Sequence, residues 1–169
     1  IWKCSRILHF LVKKNFVYLH FTTDDNVDKS TSNWIYKYRW DGKQLVEPKI
    51  VKEIHDGNYI HNAGVMAMDS NGTVFMIMGD LGNRKGILQN YDSGKPDDTS
   101  VIMPIDPPGE YYAIGIRNGY GLNFDPVTEI LWDTENGPES FDEINLVKKN
   151  FNSGWDKIQG PAKSGQEKL

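Results

Sequence analysis

Along the chain, short runs of β-branched, aromatic and aliphatic residues alternate with turn-forming clusters, and no stretch carries the apolar spacing of an amphipathic helix. Trp34-Ile35-Tyr36-Lys37-Tyr38-Arg39-Trp40 reads as a strand closed by an Asp41-Gly42 turn. Val65 to Met68 and Gly121 to Phe124 are alternating stretches that each lead into a turn and then a second β-rich run. Those second runs are related to each other. KKNFVYLHFTTD (Lys13 to Asp24), DSNGTVFMIMGD (Asp69 to Asp80) and DPVTEILWDTEN (Asp125 to Asn136) align without gaps at equal steps of 56 residues. Each copy is a turn followed by a strand, so the unit reads as hairpins within a longer repeat. The period predicts an all-β array with about four short strands per unit, as in the blades of a β-propeller.

Composition narrows the class. The chain has 169 residues, 38% hydrophobic and 25% charged, which is the makeup of one soluble globular domain with a real core. A net charge of −4 and a pI near 5.5 give no field that would attract phosphate backbones or anionic lipid, so nucleic acid is not an expected partner. Cys4 stands alone, with no disulfide partner in the chain and no zinc motif. The apolar run Ile7 to Phe21 is broken by Lys13 and Lys14 and is too short to span a bilayer, so no transmembrane segment is expected. The chain starts at Ile1 without a signal-peptide pattern and stops in the polar run Ala162 to Leu169; both ends read as cuts through a longer protein.

Chemistry concentrates late in the chain. ENGPESFDEINLVKKN (Glu135 to Asn150) and the preceding IRNGYGLNFDP (Ile116 to Pro126) bring Arg117, Asn118, Glu135, Asn136, Asp142 and Glu143 around a Gly137-Pro138 turn. That density of oxygen ligands and donors predicts that something polar is held there. Upstream, His61 precedes the small-residue turn Asn62-Ala63-Gly64, which would present an imidazole at a strand end, where its near-neutral pKa suits proton abstraction. On the residues alone, a lone histidine is more often a surface or hydrogen-bonded residue than a catalytic one. Asp80, nineteen residues later, ends the second repeat and is either an orienting carboxylate or a turn cap, as Asp24 is at the same repeat position. His9, His20 and His55 read as structural.

Three ordered segments carry a family resemblance: HNAGVMAMDSNGTVFMIMGD (His61 to Asp80), IRNGYGLNFDPVTEILWDTENGPESFDEINLV (Ile116 to Val147) and NSGW (Asn152 to Trp155). Over roughly Phe16 to Trp155 the chain resembles the soluble aldose sugar dehydrogenases that use pyrroloquinoline quinone (PQQ), also called glucose/sorbosone dehydrogenases. The resemblance implies a partial six-bladed β-propeller, with residues 1–169 a fragment of a single propeller domain containing about three blades of four-stranded antiparallel sheet. It implies an oxidoreductase that oxidises the anomeric hydroxyl of aldose sugars to the lactone. Hydride would pass to PQQ with help from Ca2+, and electrons then to an external acceptor. In that family His61 corresponds to the general base and Asp80 to the acidic residue beside it. Arg117 and Asn118 match a motif that contacts the quinone; a guanidinium fork and an amide suit a planar trianion. Gly137 and Pro138 match the turn whose carbonyls hold calcium, and Glu143 a carboxylate at a second calcium, with the Asn152-Ser153 region supplying a carbonyl. A periplasmic or extracellular parent follows.

The chain also departs from the family. Gly119 is not the residue type expected, Ile1 to Lys14 is a poor match to a first blade, and a cofactor-holding glutamine has no counterpart there. Gly82-Asn83-Arg84 and Lys85 lack a polar residue often found after Gly79-Asp80. Further basic residues expected on later blades lie beyond Leu169. The fragment alone is expected to be inactive. Half a ring would leave two sheet faces bare near Met66, Met68, Phe75, Leu122 and Phe124. The alternative reading is a non-catalytic calcium-binding propeller module; a lactone-hydrolysing calcium propeller is disfavoured, since that chemistry calls for a carboxylate-rich centre.

Overall fold

A computed structural model describes residues 4–24, 31–57, 60–82, 97–161 and 163–164. Among them there is no helix, and twelve strands form three sheets. Strands β1 (Cys4–Lys13), β2 (Phe16–Asp24), β3 (Thr31–Trp40) and β4 (Leu45–Gly57) make an antiparallel meander. The second sheet is the meander β5 (Met66–Met68), β6 (Val74–Met78), β7 (Val101–Asp106) and β8 (Ala113–Ile114). The third holds β9 (Gly119–Phe124), β10 (Leu131–Glu135) and β11 (Glu143–Val147). A two-residue β12 (Phe151–Asn152) does not complete it; it joins the outer edge of the second sheet, parallel to β8. The reason is local. A tight turn donates Phe151 N–H to the Lys148 carbonyl and returns the chain to β8, where Ser153 N–H and Trp155 N–H find the carbonyls of Ile114 and Gly115.

Each expected repeat core is the second limb of a hairpin, after β1, β5 and β9 respectively. Turn chemistry explains two of the three. Asp69 Oδ1 accepts from Thr73 N–H at 2.7 Å, and Asp125 accepts from Val127 N–H at 2.8 Å and Thr128 Oγ1 at 2.7 Å, so an aspartate closes each loop on itself. In the first copy the two-residue Lys14-Asn15 turn does the same job with Lys14 in the left-handed region at φ 55°.

The sheets stack in chain order, and β6 shows how. Val74, Met76 and Met78 point to the first sheet, where they meet Tyr18, Ile35 and Ile54. Phe75 and Ile77 point the other way, toward Leu122, Leu131 and Val147 of the third. With both faces covered, all five β6 residues are buried and the strand is a continuous apolar run. Each such side chain contributes about 1.5–3 kcal/mol by leaving water. Met66, Phe75 and Leu122, expected near bare faces, are therefore in the inter-sheet cores instead. Met68 is exposed, and the exposed large apolar residues also include Phe10 and Val12 on the first sheet and Trp132, Ile144 and Leu146 on the third. Phe21, Trp34, Tyr36 and Tyr38 form a half-buried aromatic ladder beside the former pair.

A part-buried polar cluster joins the first two sheets. Tyr18 donates its hydroxyl to Asp106, which also pairs with Lys37 at 2.7 Å. His20, fully enclosed on β2, has its pKa pushed down to about 4 by burial. Its unfolded value is about 6.5, so the imidazole is neutral in the fold and charges more readily once unfolded. Stability should therefore be full above about pH 6.5 and fall by up to about 3 kcal/mol as pH drops toward 4. Denaturant melts across that window should show the loss in the wild type and less of it in His20→Gln; identical slopes would contradict this assignment.

Candidate functional site

The ends of β2, β6 and β10 lie at one side of the stacked sheets, and a cleft of about 780 Å³ opens there between segments of all three. Thr22, His61, Asn62, Arg117, Asn118, Asn136 and Gly137 are among its walls. His61 sits in the loop from the first sheet to the second with φ at 57°, and Ala63 follows at 50°; left-handed backbone costs a non-glycine residue about 1–2 kcal/mol. The loop is pressed against the end of β6. A Cβ added at Gly79 would lie 2.1 Å from the His61 carbonyl oxygen, so only glycine admits this approach.

Asp80 organises the centre. Its carboxylate is fully buried and accepts three donors: His61 Nδ1 at 2.6 Å, Trp155 Nε1 at 2.8 Å and Gly82 N–H at 2.9 Å. With Nδ1 bound to a carboxylate, the network assigns the ring proton there and leaves Nε2 as the free basic nitrogen. Asp80 N–H in turn donates to the Arg117 carbonyl at 2.9 Å, fixing the second sheet to the third.

Arg117 is held from two sides. Its N–H donates to Glu135 Oε2 at 2.9 Å, its Nη1 donates to the Asn136 carbonyl at 2.9 Å, and its guanidinium lies 5.1 Å from the Trp155 ring centroid. Nε is buried and has no partner among the described residues. A cation so fixed, with donor capacity to spare beside a cleft, is suited to an anionic ligand. Asn118 is buried, and its carbonyl accepts from Asn136 N–H. Gly119 has a packing reason: a Cβ there would fall 2.1 Å from Ile77 Cδ1.

A second, smaller cavity lies next to the cleft, bounded by Arg117, Glu135, Gly137, Pro138, Glu143 and Ser153 among others. Gly137 is crowded by carbonyls, since a Cβ would meet Ser140 O at 1.9 Å and Phe141 O at 2.8 Å, and its N–H donates to Asp142 Oδ1 at 3.0 Å. Asp142 is thus a loop brace. Glu143 accepts from Gly160 N–H at 3.0 Å. Register puts Asp133 and Glu135 of β10 opposite Asn145 and Glu143 of β11, on one buried face. Glu135 accepts from Ser153 Oγ at 2.6 Å and Asn145 Nδ2 at 3.2 Å, whereas both Asp133 oxygens are buried without a hydrogen bond of ordinary geometry. Burial first, and neighbouring carboxylates second, push Asp133 up to about 7 and Glu135 up to about 8. Among the described residues no three His, Cys, Asp or Glu side chains converge as a metal site. The donors are oxygens throughout, with crowded carbonyls and unpartnered buried carboxylate oxygens, and this set fits a hard cation that takes main-chain ligands.

The structure thus brings His61, Asp80, Arg117 and Asn118 into one centre and places Gly137 between it and the pocket holding Pro138 and Glu143. The Asn83 to Lys85 departure lies outside the described residues. Trp155 was legible only as part of NSGW, and nothing in the sequence announces its bond to Asp80 or the buried amides of Asn33 and Asn62.

Residues 9–168 match the model of the Glucose / Sorbosone dehydrogenase family, and the chain belongs to that family. Aldose sugar dehydrogenase YliI of Escherichia coli (strain K12) is 33% identical over 106 residues, 56% of this chain and 29% of that protein. Quinoprotein glucose dehydrogenase B of Acinetobacter calcoaceticus is 47% identical over 76 residues, 45% of this chain and 15% of that protein. Among solved structures, the PQQ-bound form of aldose sugar dehydrogenase from Streptomyces coelicolor matches with a TM-score of 0.73 at 25% identity, over 91% of this chain and 47% of that one. The chain therefore spans less than a third of these curated relatives and about half of the solved one.

The fit at Gly79 makes a direct prediction. Gly79→Ala should lower the urea midpoint by the equivalent of about 1–3 kcal/mol, the usual scale of overpacking. An unchanged midpoint would mean that the His61 loop is not seated on β6 as described.

Proposed function

We propose that the chain is about half of a six-bladed β-propeller, a portion of one glucose/sorbosone dehydrogenase domain. The whole would oxidise the anomeric hydroxyl of an aldose to the lactone. Family membership supports the reaction class, and the observation that carries the reading is the His61–Asp80 pair opening on a cleft it shares with Arg117 and Asn118. Three sheets stacked in order, with apolar outer faces left on the first and third, support the partial ring.

Arg117 and Asn118 would hold PQQ, the carbonyls of Gly137 and Pro138 a calcium beside it, and Glu143 with the Ser153 carbonyl a second calcium. When bound, the quinone supplies the two-electron acceptor for the C1 hydride and calcium the Lewis acid that polarises it. His61 Nε2 takes the proton leaving the anomeric hydroxyl, and the buried Asp80 carboxylate stabilises the imidazolium that results. Trp155 and Gly82 keep that carboxylate from turning away. An external acceptor would receive the electrons. The family affiliation supports a periplasmic or extracellular setting; no helix among the described residues is long and apolar enough to cross a membrane.

In the intact, cofactor-loaded protein, His61→Ala should cut turnover by about a hundredfold or more and leave cofactor affinity nearly unchanged, the usual scale for a general base. Undiminished turnover removes His61 from the mechanism, and no PQQ binding at all favours the non-catalytic calcium-binding module. Glu143→Ala should lower the melting temperature in calcium and have little effect after chelation, because a ligand that binds only the folded state stabilises by mass action. Equal loss in both conditions makes Glu143 structural. Residues 1–169 alone should self-associate or bind a hydrophobic dye through Phe10, Val12, Trp132, Ile144 and Leu146. A monomer by sedimentation, silent to the dye, contradicts the half-ring.

A further inference from the structure

The first sheet reaches the His61 loop through a chain of buried polar side chains. Asn33 on β3 is fully buried. Its Oδ1 accepts from His20 Nε2 at 2.9 Å and from Thr22 Oγ1 at 3.2 Å, and its Nδ2 donates to Asn62 Oδ1 at 2.8 Å. Asn62, also buried, is the residue after His61 and lies between the two left-handed residues of the loop. Two residues on, Gly64, at φ 93°, rests so closely on the His20 imidazole that a Cβ would stand 1.7 Å from Nδ1. Gly64 N–H donates to the Ile77 carbonyl at 2.8 Å on the opposite side.

Strained residues on either side of Asn62 need two anchors. A buried amide chain of this kind adds little net stability, because desolvating each group offsets most of what its hydrogen bond returns, but it admits only one arrangement. Ile77 fixes the far end of the loop from the second sheet, and Asn33 holds the side chain of the residue adjoining His61 from the first. We propose that Asn33 is a positioning residue for His61, acting through the Asn62 side chain to aim the imidazole into the cleft. This rests on the reading of His61 as the base, and it gives the first sheet a part in the reaction.

The test compares Asn33→Ala, Asn62→Ala, their double variant and Asn33→Asp in the intact, cofactor-loaded protein. Tyr18→Phe serves as the stability control, since it breaks an inter-sheet bond remote from this chain of amides. Each alanine variant should lower kcat about tenfold or more with KM within about twofold, and the double variant should be no worse than either, as expected for residues acting in one line. Asn33→Asp should recover part of the loss, because a carboxylate accepts from His20, Thr22 and a turned-over Asn62 amide. The His61 ring signals in a ¹⁵N-correlated spectrum should shift in the alanine variants and not in Tyr18→Phe. Additive losses, a kcat fall matched by Tyr18→Phe, or an unmoved His61 ring would each overturn the proposal. Should His61→Ala retain turnover while Asn33→Ala still moves the His61 ring, the functional reading fails and the positioning role stands.

Discussion

A carboxylate that is fully enclosed must be met by donors, and Asp80 meets three from different parts of the fold. His61 comes from the loop between the first and second sheets, Gly82 from the turn after β6, and Trp155 from beyond the last strand, 75 residues away. Removing any donor leaves a charge underserved in a water-poor setting, which costs far more than the bond itself is worth net. The same requirement orients the imidazole, brings Trp155 under the Arg117 guanidinium and ties the backbone of the second sheet to the third. Site geometry and sheet docking are one constraint here.

The stacking that supports this is built from strand parity. On β6, even-numbered residues face one neighbouring sheet and odd-numbered residues the other, so a one-residue slip would swap two cores. Facing parity is not carried along by the 56-residue step: Tyr18 faces the following sheet, whereas Val74, at the same repeat position, faces the preceding one. Asp80 orients the His61 imidazole, and Asn136 offers its carbonyl to Arg117. Two residues that correspond in the sequence repeat thus make different contacts.

Much of this was legible in the chain, for reasons that are local. Hairpins follow from aspartate-closed turns and alternating runs, and those signals lie within a dozen residues of each other. His61, Asp80, Arg117 and Asn118 were legible because ordered motifs carry them. What was not legible is non-local. The parallel seating of β12 depends on the free edge of β8, a property of a different sheet. The burial of the Asp133 carboxylate is visible only once β10 and β11 are paired and their face is covered. Gly119, odd in sequence, is explained by Ile77 some forty residues earlier. Met66, Phe75 and Leu122, expected near open faces, are buried while Met68 is exposed, since alternation gives the period of a strand and not which face a neighbour will cover.

The central claim is that Asp80 fixes the His61 proton on Nδ1 and leaves Nε2 basic. Ring ¹⁵N chemical shifts of His61, read at a pH where the imidazole is neutral in the wild type and in Asp80→Asn, test it most directly. The account predicts a protonated Nδ1 and bare Nε2 in the wild type, with that preference lost or reversed in Asp80→Asn, where an amide donor can stand in place of the carboxylate. A wild-type ring protonated on Nε2, or the same tautomer in both proteins, would contradict it.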